Sequence, residues 1–194
     1  MKILRLSGYT FFAFLLGCAL FYLPACSDSD NNIFKGSGQL EIAVTDVPID
    51  SLSSVLVTIS SITVAKESDG IWVEEKHTFD PPVTVDLLQY RHAMHQEFTL
   101  PETISLEDGT YKLISVYISH VTVINSNQET VLDMDLTEEQ GTYNFADHNQ
   151  TIIFSVVAGQ VTTLLIDIDC ESSVIYNGGY SFTPNMSVLE IRMR

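Results

Sequence analysis

Residues 54–66 read Ser-Val-Leu-Val-Thr-Ile-Ser-Ser-Ile-Thr-Val-Ala-Lys. Val55, Val57 and Ile59 keep the two-residue period of a strand that buries one face. After Ser60-Ser61 the apolar set changes phase, to Ile62 and Val64. One extra residue in a strand has that effect, so the serine pair predicts a β-bulge or a bend between sheets. Residues 110–124 repeat the device: Ile114, Val116 and Ile118 hold one phase, then Val121 and Val123 take the other. The two shifts predict that both long strands bend at the same level of the fold.

The segments around them read the same way. Gly38 to Thr45 places Leu40, Ile42 and Val44 on one face, and Asp46-Val47-Pro48-Ile49-Asp50 ends that strand with turn residues. Glu67-Ser68-Asp69-Gly70 is a hairpin turn, and Ile71 to Phe79 returns from it with Trp72, the single tryptophan, as a packing residue. Pro81-Pro82 reads as a break before a short strand from Val83 to Leu88. Gln89 to Glu97 is the least regular stretch. Strands are further expected at 130–136, 151–157, 161–170 and 187–193, with a tight turn at Asn177-Gly178-Gly179. No long 3.6-residue periodicity and no crossover helix is present, so the expected class is all-β, an antiparallel two-sheet β-sandwich over residues 36–194.

Composition agrees with one packed domain. Of 194 residues, 45% are hydrophobic and only 18% charged, which excludes a disordered chain or a coiled coil. Acids outnumber bases 25 to 9. That balance argues against nucleic acid, whose phosphates need clustered Lys and Arg.

The first 25 residues read as an address. Lys2 and Arg5 precede an unbroken apolar run from Phe11 to Leu23, too short to span a bilayer and fitting a signal peptide. Leu23-Pro24-Ala25-Cys26 resembles the lipobox of bacterial lipoproteins, which implies lipidation of Cys26. Leu15-Leu16-Gly17-Cys18 is a second match, but a cut there leaves an apolar stretch after the lipid. Residues 26–35 are then an acidic tether. Its Ser27-Asp28-Ser29-Asp30 run resembles the surface-export signal of lipoproteins in Bacteroides-like bacteria, implying an outward-facing position on the outer membrane.

The opening Gly38-Gln39-Leu40-Glu41-Ile42-Ala43-Val44-Thr45-Asp46-Val47-Pro48-Ile49-Asp50 resembles a bacterial lipoprotein family known only as a domain of unknown function. Its members run from a Gly-x-Leu-x-Val strand into Thr-Asp-Ala-Pro-x-Asp; Val47 stands here where Ala is usual. Trp72, Val85-Asp86-Leu87-Leu88, Gly109-Thr110-Tyr111, Ala158-Gly159-Gln160, Ile166-Asp167-Ile168-Asp169, Tyr180 and Pro184 follow in the expected order. A stretch around Asp133 to Asp147 departs from the pattern as an acidic insert. The resemblance implies an immunoglobulin-like or transthyretin-like sandwich and no established activity.

Several constellations are candidates for chemistry. Asp46, Asp50, Asp167 and Asp169 offer carboxylates that a calcium ion takes from strand ends and loops; the alternative is that they cap turns or lie on a solvated face. Asp133 and Asp135 share the spacing of Asp167 and Asp169. His92 and His95 sit three apart, with Glu97 beyond and His77 upstream, in what reads as a solvated loop. His120 is expected to be half-buried and hydrogen-bonded. Cys170, in phase with Ile166 and Ile168, reads as a buried, inert thiol. Tyr111, Tyr117, Tyr143, Tyr176 and Tyr180 are candidates for an aromatic platform, with Tyr176 and Tyr180 flanking the Asn177–Gly179 turn as the exposed pair. No Gly-x-Ser-x-Gly elbow or phosphate loop is present. The leading expectation is a non-catalytic surface module binding a glycan or protein, held to the membrane by its lipid. The alternatives are a calcium-dependent adhesion or pilus-like assembly module, and a hydrolase using an acidic pair. No cofactor other than calcium is indicated.

Overall fold

A computed structural model describes residues 36–46, 51–90 and 96–194. The leader 1–25, Cys26 and its rival Cys18, the tether 26–35, Asp50, His92 and His95 lie outside the described residues. The described chain is 68% strand and has no helix of seven or more residues. The strands are β1 Ser37–Thr45, β2 Leu52–Ser68, β3 Ile71–Asp86, β4 Phe98–Thr99, β5 Ile104–Glu107, β6 Gly109–Asn125 and β7 Thr130–Asp135. They continue as β8 Thr142–Asn144, β9 Ile152–Val156, β10 Val161–Ile168, β11 Val174–Tyr176, β12 Tyr180–Phe182 and β13 Met186–Met193.

Two main sheets form the expected sandwich. One runs β13-β10-β1, with β4 and β5 sharing the outer edge of β1; the other runs β3-β2-β6, with β7, β8 and β9 sharing the outer edge of β6. Leu40, Ile42 and Val44 on β1 and Leu164, Ile166 and Ile168 on β10 face Val55, Val57, Ile59, Ile62 and Val64 on β2 in one core. Burying each such side chain is worth about 1.5–3 kcal/mol, so the phase of these strands is strongly fixed. All the pairs between main-sheet strands are antiparallel except one. β1 runs parallel to β10, from Gln39 opposite Val161 to Thr45 opposite Asp167. This is not a βαβ unit: the strands are far apart in sequence, and the rest of the sandwich serves as the connection.

The paired phase shifts are one structure. Thr58 lies opposite His120 and Ile59 opposite Ile118, leaving Ser119 unpaired on β6; Ser61 then faces Tyr117, leaving Ser60 unpaired on β2. The two bulged serines meet, the Ser60 hydroxyl donating to the Ser119 hydroxyl at 2.5 Å. A second shift on β6 was not visible in the sequence. Leu113 and Tyr111, not Ile114, enter the core, because Ile114 is itself bulged between Leu113 and Ser115. Each bulge of β6 marks a change of partner: β9 pairs Gly109–Leu113, β8 pairs Ser115–Tyr117 and β7 pairs His120–Ile124.

Two expected boundaries are corrected. Pro81-Pro82 does not break the strand; β3 runs through it to Asp86. Residues 79–82 bulge out between Thr78, opposite Ser61, and Val83, opposite Ile59. An edge strand tolerates this, since a missing proline N–H costs no ladder bond there. β10 ends at Ile168, and Cys170–Ser173 forms a helical turn, although Cys170 remains fully buried.

Candidate functional site

Ladder registers define two ends of the sandwich. The proximal end holds the start of β1: Ser37 lies opposite Glu107, and Arg194 exchanges backbone bonds with Val161. β1 and β10 both run from there to the distal end, where Thr45 meets Asp167.

The described members of the aspartate set gather at the distal end. Asp46 is buried and its Oδ1 accepts the Cys170 N–H at 3.0 Å. Asp169 accepts from the Ser172 N–H at 2.9 Å, the Ser172 hydroxyl at 2.6 Å and Asn185 Nδ2 at 3.4 Å. It is the N-cap of the Cys170–Ser173 turn. Asp167 is half-buried beside them. Asp46 and Asp169 therefore serve backbone donors, and among the described residues no three His, Cys, Asp or Glu side chains group to hold a metal ion. Burial pushes the Cys170 thiol far above its ordinary value, and the charges of Asp46, Asp169 and Asp167 push the same way. Such a thiol stays protonated and unreactive.

His120 is bonded as expected, but to partners the sequence did not reveal. On the outer face of the sheet its Nδ1 lies 2.8 Å from Asp135 and its Nε2 lies 3.0 Å from Asp133 and 3.1 Å from Thr122 Oγ1. Thr122, His120 and Asp135 thus have the connectivity of a nucleophile, base and orienting acid. The Thr122 hydroxyl also donates to Asp133 at 3.3 Å. The β6 backbone there is laddered to β2 on one side and β7 on the other, so its N–H groups are already spent and offer no oxyanion donors. The group ties β7 to β6 across the sheet face. His77 lies in an open groove between β3 and the 102–105 segment, its Nε2 3.5 Å from Glu75.

Three of the five tyrosines are absorbed by the fold. Tyr111 donates to the Glu107 carbonyl at 2.9 Å, Tyr117 donates to the Leu136 carbonyl at 2.8 Å, and Tyr143 is buried against Phe145. Tyr176 and Tyr180 are different. They face each other across the β11–β12 hairpin, which leaves the distal end after the Cys170–Ser173 turn. The Asn177–Gly179 loop closes it, with Gly178 at φ +79° and the Asn177 N–H donating to the Gly179 carbonyl. Their ring centroids are 5.0 Å apart at 55°, and Tyr176 is 66% exposed. Tyr180 is half-buried against the core, so the hairpin presents the open face of Tyr176 with the Tyr180 ring angled behind it.

A protein-family model described as a domain of unknown function, DUF4382, matches residues 37–184. The chain belongs to this family. No curated protein matches. Among solved structures, a leucine-rich repeat protein from Bacteroides thetaiotaomicron matches at 12% identity with a TM-score of 0.28. The match covers 69% of this chain and 13% of that one, and at that score it carries no argument. As a DUF4382 domain, the chain has the described part of its opening motif, residues 38–46, in β1 and the residue that follows it, with Asp46 turned inward to hold Cys170.

Proposed function

We propose that this DUF4382 chain is a lipid-anchored envelope protein, and that its domain is a non-catalytic module that captures glycan on the Tyr176–Tyr180 hairpin. The sandwich is read as immunoglobulin-like or transthyretin-like, in line with the family resemblance. Lys2, Arg5, the Phe11–Leu23 run and Leu23-Pro24-Ala25-Cys26 support export and lipidation at Cys26; the Ser/Asp run after it supports an outward-facing position on the outer membrane.

One observation carries the binding reading: on a tight hairpin at the distal end, away from the start of β1, Tyr176 holds its ring open to solvent against the ring of a half-buried Tyr180. Tyrosine is enriched at binding interfaces because its ring is apolar and its tip is polar. The C–H face of a sugar ring packs on such a surface while the phenol hydroxyls and Asn177 reach its hydroxyl groups. The test is calorimetric titration with a panel of bacterial and host polysaccharides. Tyr176→Ala is expected to lower affinity about tenfold, roughly 1.4 kcal/mol, at an unchanged melting temperature; Tyr180→Ala is expected to lower affinity similarly and, because its ring packs against the core, the melting temperature as well. Affinity equal to wild type in both variants defeats the assignment. Protease shaving of intact cells tests the facing: cutting while a periplasmic control survives supports the surface position. Resistance until the outer membrane is opened refutes it.

A further inference from the structure

We infer that the proximal end of the sandwich rests on a lipid surface, with Trp72 at the level of the headgroups. The inference rests on the lipid-anchor reading and adds to it a second contact, made by the folded domain. The β2–β3 hairpin turns through Asp69 and Gly70, both at positive φ, so Ser68 pairs directly with Ile71. Lys66 lies opposite Tyr111 on β6 and is ion-paired to Glu107 at 2.6 Å, and Glu107 lies opposite Ser37. This chain of contacts puts the hairpin tip at the end where β1 begins.

Among the described residues, that end carries the longest run of consecutive exposed apolar residues. Ile71 is 66% exposed and Val73 57% on one face of the hairpin, Trp72 is 36% exposed on the other, and Met193 is 58% exposed beside Arg194. The Lys112 ammonium lies 5.6 Å from the centre of the Trp72 ring, within reach of a headgroup phosphate. Tryptophan with flanking lysine is the pairing that sits at a membrane interface. Ten residues separate Cys26 from Ser37, and even fully extended they reach only about 35 Å. A lipid on Cys26 therefore holds the proximal end close to the bilayer. Glu67 and Asp69 at the turn keep the contact shallow and give it no preference for anionic lipid.

Trp72 reports on the contact by itself, since the chain has no other tryptophan. The mature lipidated chain, purified from cells, is reconstituted into phosphatidylethanolamine–phosphatidylcholine vesicles with plain or brominated acyl chains. Flotation reads the anchor, and Trp72 emission reads the docking. The expected result is co-flotation, with emission roughly twofold lower in brominated than in plain vesicles. The double variant Ile71→Ser, Val73→Ser is expected to float and melt as wild type does while losing most of that quenching. Co-flotation with equal emission in the two vesicle types overturns the docking and leaves the anchor standing. A chain that does not float overturns both. A blue shift that grows with protein concentration without vesicles, together with unquenched emission on brominated vesicles, overturns the docking in favour of contact between copies of the chain.

Discussion

Cys170 sits at 0% exposure among Ile166, Ile168 and the Asp46 carboxylate, and its proton is held there by burial first and by neighbouring charge second. Burial also raises the Tyr111 and Tyr143 phenols. All three groups keep their protons to higher pH folded than unfolded. The folded chain then binds more protons, so stability falls as pH rises past the unfolded values. The thiol's ordinary value is 9.0 and the phenols' is 10.0. The melting temperature is therefore expected to begin falling near pH 9, with Cys170 contributing about 1.4 kcal/mol per pH unit beyond it. In Cys170→Ala the onset should move up toward the tyrosine range, as a pH series of thermal melts will read. At this scale the sequence was a partial guide. Two-residue phase predicted burial of Cys170, and it is buried, but on the helical turn after β10, where Asp46 holds its N–H, and not by strand alternation. Phase could not join His120 to Asp133 and Asp135, because that contact depends on which strand lies beside β6.

β6 shows what a single strand can do when its partners change. It keeps β2 along its length on one side and takes β9, β8 and β7 in turn on the other. At the change from β8 to β7 the bulged Ser119 uses its carbonyl to accept the Leu136 N–H at 2.8 Å. The Glu138–Gly141 turn, closed by a capping box between Thr137 and Gln140, follows at once. A Cβ on Gly141 would lie 1.9 Å from the Ile118 carbonyl oxygen, and backbone cannot yield as a side-chain end does. Gly141→Ala is accordingly expected to cost about 3 kcal/mol, read as a lower urea midpoint. Gly179→Ala, whose Cβ meets nothing within 4 Å, is the neutral comparison. The Ser60 and Ser119 bends were legible because each reverses a long apolar alternation. The Ile114 bulge was not, since an isoleucine fits either phase until its neighbours are known. Pro81-Pro82 was misread because a strand end and an edge strand look alike until the sheet order is known.

For the whole molecule, charge is the dominant variable. The full chain carries a net charge of −16, and the proposed removal of residues 1–25 would take away Lys2 and Arg5 and no acid, leaving 25 acids against 7 bases, a net charge of −18. Self-repulsion on that scale is screened by salt, so the melting temperature should rise with sodium chloride up to about 0.15 M and then level off. Calcium compared at equal ionic strength separates screening from a specific site. Equal curves are expected, because Asp46 and Asp169 already serve backbone donors. An extra rise with calcium that disappears in Asp46→Asn would instead establish a site. The parallel pairing of β1 with β10 would have a mechanical consequence under the proposed lipid anchor, which tethers the domain at one end. A pull between the tether and the β11–β12 hairpin is directed along β1, from its start at Ser37 toward the distal end where β10 delivers the chain to the hairpin. Seven residue pairs, from Gln39–Val161 to Thr45–Asp167, are then loaded together in shear. They cannot unzip one at a time, and the strand that bears the tether is the one best placed to withstand drag.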